Sequence, residues 1–244
     1  MRSGVERFRE RIVHWSELAG VVLPKDMADS EWAKPFFEDA GHDPLREGTS
    51  LKAIWSWEKR HDFSLPRALT AWLGLSDGLY RDVPLIHPLT AIGPMIPFAK
   101  MPEMVVQPES WFELGNPGRE TVCIDLGYRW PGGDYPIFTS GDDRNESPPR
   151  LIAPSFSSWF VQLLREGGRE FWFDHDFVSL GDPWVEHRRR VPAPSLPERL
   201  QPLATLIKPL MRDDLDERSL ASSLGITRSD VEALFRHLQH AQAR

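Results

Sequence analysis

Apolar positions along the chain follow two spacings. Val5, Phe8, Ile12, Trp15 and Leu18 recur at helical intervals, with Arg and Glu on the other face, which predicts an amphipathic helix over residues 3–19. The same period predicts a helix over 49–61, with Leu51, Ile54, Trp55 and Glu58 on related faces and Thr49 or Ser50 as its cap. It recurs in 64–80, where Ser64 is the expected cap, Pro66 sits in the first turn, and Leu65, Leu69, Trp72 and Leu73 form the apolar face. Residues 155–165 repeat it once more through Phe156, Trp159, Phe160, Leu163 and Leu164. Over 111–141 the pattern changes. Trp111, Phe112 and Leu114 precede a Gly-Asn-Pro-Gly turn. The run Thr121 to Leu126 is β-branched and apolar, and a Pro-Gly-Gly-Asp turn leads to Tyr135, Ile137 and Phe138. Strand, turn, strand, turn, strand is the signature of an antiparallel meander.

The remaining stretches fit around that sheet. Residues 83–92, broken by Pro84 and Pro88, suit an edge strand or a turn, and 93–108 read as loop. Phe36 and Phe37 are anchors expected to dock on the core. Leu151 to Ala153 lead into the 155–165 helix, and 169–185 are aromatic, suiting a short helix or strand. Residues 186–198, charged and then Pro-rich, read as a linker, and 199–240 as helices. The expected fold is α+β: a mostly antiparallel sheet flanked by helices within residues 1–185, with a C-terminal helical extension at 199–244.

Composition narrows the classes. The 244 residues are 41% hydrophobic, with ten Trp and thirteen Phe, enough for a substantial core. The net charge of −7 argues against a large nucleic-acid-binding patch. The single Cys123 excludes an internal disulfide, and its apolar strand makes it a core residue. The N-terminus is charged throughout and lacks the apolar core of a signal peptide, and no run is long enough to span a membrane. The default expectation is a soluble cytoplasmic protein.

The order of motifs carries a resemblance. A Leu-Pro helix ending in WLGLSDG (to Gly78) is followed by PLIHPLTAI (84–92), WFELGN (111–116), TVCIDL (121–126), YPIFTSGDD (135–143) and the aromatic helix SFSSWFVQLL (155–164). Across residues 50–165 this ordered set resembles the SMI1/KNR4 (SUKH) superfamily. The chain departs from it at Asn116 to Glu120, where that family often has a Gly/Asp-rich loop. The resemblance implies a helix packed on a mostly antiparallel sheet and a binding role. Many bacterial members look like immunity proteins that neutralise polymorphic toxins.

Candidate chemistry is sparse. Asp125, Asp134, Asp142 and Asp143 fall at or beyond strand ends, where they would form an acidic edge facing a basic partner. Their plainer role is in turns. Asp77, in the Asp-Gly turn of the resemblance, joins them as a candidate binding residue. Asp174-His175-Asp176 has the look of a metal or acid–base fragment but lacks further ligands at metal spacing. His237 and His240 suit one helix face. No P-loop, GxGxxG or GxSxG occurs. In SLASSLGITRSDVEALFRHL, Ala221, Gly225, Ile226, Val231 and Leu234 have helix-turn-helix spacing, with Arg228 and Arg236 as candidate DNA contacts. Neighbouring carboxylates would repel phosphate.

The expected function is non-catalytic protein binding, with no cofactor or metal, no membrane, and a protein partner such as a secreted toxin domain. The alternatives are a DNA-binding regulator using the C-terminal segment and a small hydrolase.

Overall fold

Ser3 starts the first helix with a capping box. Its hydroxyl accepts from the Glu6 N–H, and the Glu6 carboxylate accepts from the Ser3 N–H. Helix α1 (Gly4–Ala19) ends at Gly20, whose φ of 72° supplies the left-handed C-cap. The structure, a computed structural model, describes residues 3–38, 43–95, 107–141, 147–208 and 217–241. Contacts divide the chain into two units, residues 1–96 with 110–180 and residues 97–109 with 181–244.

The first unit continues with a short helix α2 (Pro35–Glu38), then α3 (Leu51–His61) and α4 (Arg67–Leu75). Ser50 caps α3 by accepting from the Ala53 N–H. Helix α4 begins at Arg67 after Pro66, later than Ser64 suggests, because Leu65 and Pro66 remain extended. A two-stranded hairpin follows, β1 (Leu79–Tyr80) and β2 (Pro84–Ile86). Next come β3 (Trp111–Gly115), β4 (Val122–Asp125), β5 (Ile137–Thr139) and β6 (Arg150–Ala153), which pair antiparallel in chain order. Helix α5 (Phe156–Arg165) closes the set, capped by the Ser155 hydroxyl. The α+β class is as the pattern predicts, and the meander strands are three of the four in the larger sheet. The fourth, β6, lies where only a lead-in to the helix is expected.

One side of the sheet, Phe112, Leu114, Val122, Ile124, Ile137 and Ile152, joins the helices in a single core. Trp111, Cys123, Phe138 and Leu151 alternate with these and are buried as well. Aromatic contacts knit the helices together. Phe160 of α5 meets Trp15 of α1 and Trp72 of α4 with ring centroids 4.8 Å apart in both pairs. Phe36 docks on Phe8 at 5.0 Å, as its apolar character predicts. The hairpin leans on the sheet through His87 N–H to the Leu114 carbonyl and Asn116 N–H to the Pro84 carbonyl, both 2.8 Å. That approach needs Gly115, since a Cβ there would lie 2.0 Å from the Leu85 carbonyl oxygen.

The second unit is helical in its described residues. Helix α6 (Pro183–Arg190) takes in residues 186–190 of the stretch expected to be a linker. Asp182 caps it by accepting from the Val185 N–H, Pro183 occupies its first turn, and Glu186 pairs with Arg189 and Arg190. Helices α7 (Gln201–Ile207), α8 (Glu217–Leu224) and α9 (Arg228–Ala241) follow. Gly225, at φ 66°, makes the turn between α8 and α9. Leu200, Ile207, Ala221, Val231, Leu234, Phe235 and Leu238 form this unit's core. Thr227 and Asp230 cap α9 reciprocally, and Arg199 grips the Asp230 carboxylate at 2.6 Å. Those bonds, the guanidinium's first, hold the Asp230 carboxyl well below its ordinary range.

Candidate functional site

Of the predicted acidic binding residues, Asp77, Asp125 and Asp134 make bonds within the fold. Asp125 ends β4 only 1% exposed. Its carboxylate accepts from the Ser110 hydroxyl at 2.7 Å, the Trp111 indole N–H at 2.9 Å and the Gly127 N–H at 2.8 Å. These bonds tie the open end of the β3–β4 pair, where Trp111 and Asp125 lie opposite each other. Asp77 is half-buried and accepts from the Leu89 N–H at 2.7 Å, closing the loop beyond β2. Asp134 is also half-buried and binds its neighbour's N–H at Tyr135. Burial raises its pKa, against the lowering effect of that bond and of Arg129. Asp142 and Asp143 lie outside the described residues.

Other predicted groups are similarly engaged. Asp174 bonds Arg169 rather than assembling with His175 and Asp176, and no cluster of metal-ligating side chains occurs among the described residues. The Cys123 thiol is buried in β4, and that burial pushes its pKa well up, leaving it protonated. Arg228 pairs with Glu232 at 3.2 Å, and Arg236 with Glu109 at 2.5 Å and Glu232 at 3.5 Å. Both candidate DNA contacts therefore have carboxylates beside them. His237 and His240 diverge. His237 meets the Pro194 carbonyl, while His240 is buried against His187, ring centroids 5.5 Å apart, and Trp184.

Two surfaces of the first unit combine apolar and charged groups. One is the outer face of α3. Ile54 and Trp57 point inward, and Trp57 donates its indole N–H to the Ile92 carbonyl at 2.8 Å. Leu51 and Trp55, expected on faces related to Ile54, turn outward and are 58% and 66% exposed. Lys52 and Lys59 lie three and four residues from Trp55 on the same side of the helix. Both are exposed and have no ion-pair partner among the described residues. The chain carries apolar residues at 51, 54, 55 and 57, so helical spacing alone admits two inward sets.

The second surface is a cleft of about 530 Å³. Ala19 at the end of α1, Leu65 to Ala68 at the start of α4, the turn residues Arg129 and Gly132 to Tyr135, and Pro154, Ser155 and Ser157 at the start of α5 line it. Gly132 and Gly133, with φ of 114° and 98°, make the tight turn that carries Asp134 into it. Arg67 donates Nε and Nη2 to the Leu18 carbonyl at 3.0 and 2.7 Å. Arg129 donates Nη1 to the Gly133 carbonyl at 2.9 Å and stacks over the Tyr135 ring.

No protein-family model matches the chain, and no curated protein matches it. No helix among the described residues is long and apolar enough to cross a membrane.

Proposed function

We propose that the chain is a non-catalytic protein-binding module that offers the outer face of α3 to a partner protein. The observation that carries this reading is Trp55, 66% exposed beside exposed Leu51. Other tryptophans of the first unit, Trp15, Trp72, Trp111, Trp159 and Trp172, are fully buried. Tryptophan is the residue type most often found at the energetic centre of protein interfaces, and burying it against a partner recovers area left in water here. Lys52 and Lys59 flank it with positive charge that has no ion-pair partner among the described residues, so the matching surface is an apolar pocket with an acidic rim. This surface is distinct from the expected acidic edge, of which Asp125 is buried in the sheet.

In its narrower form the proposal rests on the resemblance of residues 50–165 to the SMI1/KNR4 superfamily. The partner is then a toxin domain and the chain its immunity protein. The engagement of Asp77, Asp125 and Asp174 in structural bonds is consistent with a role that breaks no bond in a substrate.

The test compares affinity capture by the wild-type chain with capture by Trp55→Ala and by Lys52→Glu with Lys59→Glu. A partner held by the wild type and lost by both variants supports the reading. Equal capture by all three proteins sinks it. For the narrower form, co-expression with a toxin encoded beside this chain should restore growth with wild type and fail with Trp55→Ala.

A further inference from the structure

The cleft between the starts of α4 and α5 has a chemistry that the α3 face does not share. Two arginines, Arg67 and Arg129, line it, and neither is ion-paired among the described residues. Backbone carbonyls hold both instead: Leu18 for Arg67 and Gly133 for Arg129. A carbonyl orients a guanidinium without neutralising it, so each keeps its full charge and N–H groups not used by the protein. In a chain of net charge −7, many other arginines meet carboxylates, as Arg165 meets Asp26 at 2.6 Å and Arg169 meets Glu166 at 2.7 Å.

The rest of the lining fits the same kind of ligand. Ser157 adds a hydroxyl, which donates or accepts as required, while the Ser155 hydroxyl is already taken up in capping α5. Leu65, Pro66 and the Tyr135 ring supply apolar surface. Asp134 is the lining's one carboxylate against two guanidinium groups, so the cleft is electropositive by one charge. Its volume lies within the range of small-molecule sites, which runs from about 300 to 1,000 Å³. Charged donors beside an apolar wall suit an anion attached to a flat apolar body. Arginine binds carboxylate and phosphate alike, often through two parallel bonds.

We propose that this cleft binds a small organic oxyanion, with Arg67 and Arg129 as its charged donors and Pro66 and Tyr135 against its apolar part. The ligand's anionic group is a phosphate or a carboxylate. Its source is a soluble small molecule.

Calorimetric titration of the full chain at low salt tests this with three probes: phenyl phosphate, benzoate and inorganic phosphate. Saturable binding of phenyl phosphate or benzoate is expected, at least tenfold tighter than inorganic phosphate. Which of the two binds tighter identifies the anionic group. Arg129→Gln, whose side chain bonds only within its own turn, should weaken binding at least tenfold while leaving the circular dichroism spectrum unchanged. Asp134→Asn should tighten it severalfold by removing the opposing charge. No saturation with either aromatic probe, or wild-type affinity in Arg129→Gln, would overturn the proposal. Inorganic phosphate binding as tightly as phenyl phosphate would overturn its apolar half. Trp55→Ala should bind the probes as wild type does, so loss of this site and loss of the partner surface are separate results.

Discussion

Trp111 and Trp55 belong to the same unit and do opposite work. Trp111 is fully buried, packs on Phe138 at 4.6 Å and gives its indole N–H to the Asp125 carboxylate. Trp55 stands two-thirds in water between two lysines. The buried ring shows how an apolar sheet accommodates a charge: the carboxylate enters because three donors await it. The exposed ring shows the reverse, apolar area that the fold itself leaves uncovered. The difference teaches where to look for function in this molecule. Asp125 at its strand end serves the sheet, whereas the outer face of α3 leaves a large apolar ring in water.

The largest expected effect tests the buried side of that comparison. Asp125→Ala strands the Ser110, Trp111 and Gly127 donors, and it should lower unfolding stability by about 3 kcal/mol or more in urea denaturation. A loss below about 1 kcal/mol would mean that the cage is incidental to the sheet. Asp125→Asn keeps one acceptor and should fall between the two.

A second buried polar group, in the other unit, extends the comparison to pH. Desolvation, aided by the neighbouring charges of His187, Arg188 and His237, lowers the His240 pKa from 6.5 to about 4. The unfolded chain then takes up a proton that the folded unit refuses. The contribution of neutral His240 is full above pH 6.5 and is lost as pH falls toward 4. A drop of about 1–2 kcal/mol in the stability of this unit is expected across that window. Amide exchange in α6 and α9 at pH 7 and pH 5 would show it, and His240→Phe should flatten the dependence.

Smaller effects sharpen the exposed side. Ser50→Ala removes the cap of α3 and should cost about 1 kcal/mol, read from thermal unfolding. Trp55→Ala should change stability by no more than about 0.5 kcal/mol. A larger loss would show that Trp55 supports the fold and would weaken its assignment to a partner.

Much of this architecture was readable beforehand. The alternation over 111–141 and the sharp turns between strands predict β3, β4 and β5, and helical spacing predicts α1, α3 and α5 nearly to their ends. Strand β6 was hidden because Leu151, Ile152 and Ala153 are a short apolar run with no alternation, paired only once β5 is beside them. Helix α6 was hidden behind its basic run, although Asp182-Pro183 is a cap-and-first-turn signal. The cleft was the least legible feature. Arg67, Arg129 and Ser155 are far apart in sequence, and only the packing of α4, α5 and one turn puts them on a common wall.

The missing side chain at residue 115 has a wider reach than its size suggests. Even one methyl group there would act as a wedge between the Leu85 carbonyl and the sheet. The hairpin would have to lift, and the loop closed by Asp77 would be pulled with it. This small gap is therefore a hinge pin for the path from α4 into the sheet, and substitution there should disturb sites that residue 115 never touches.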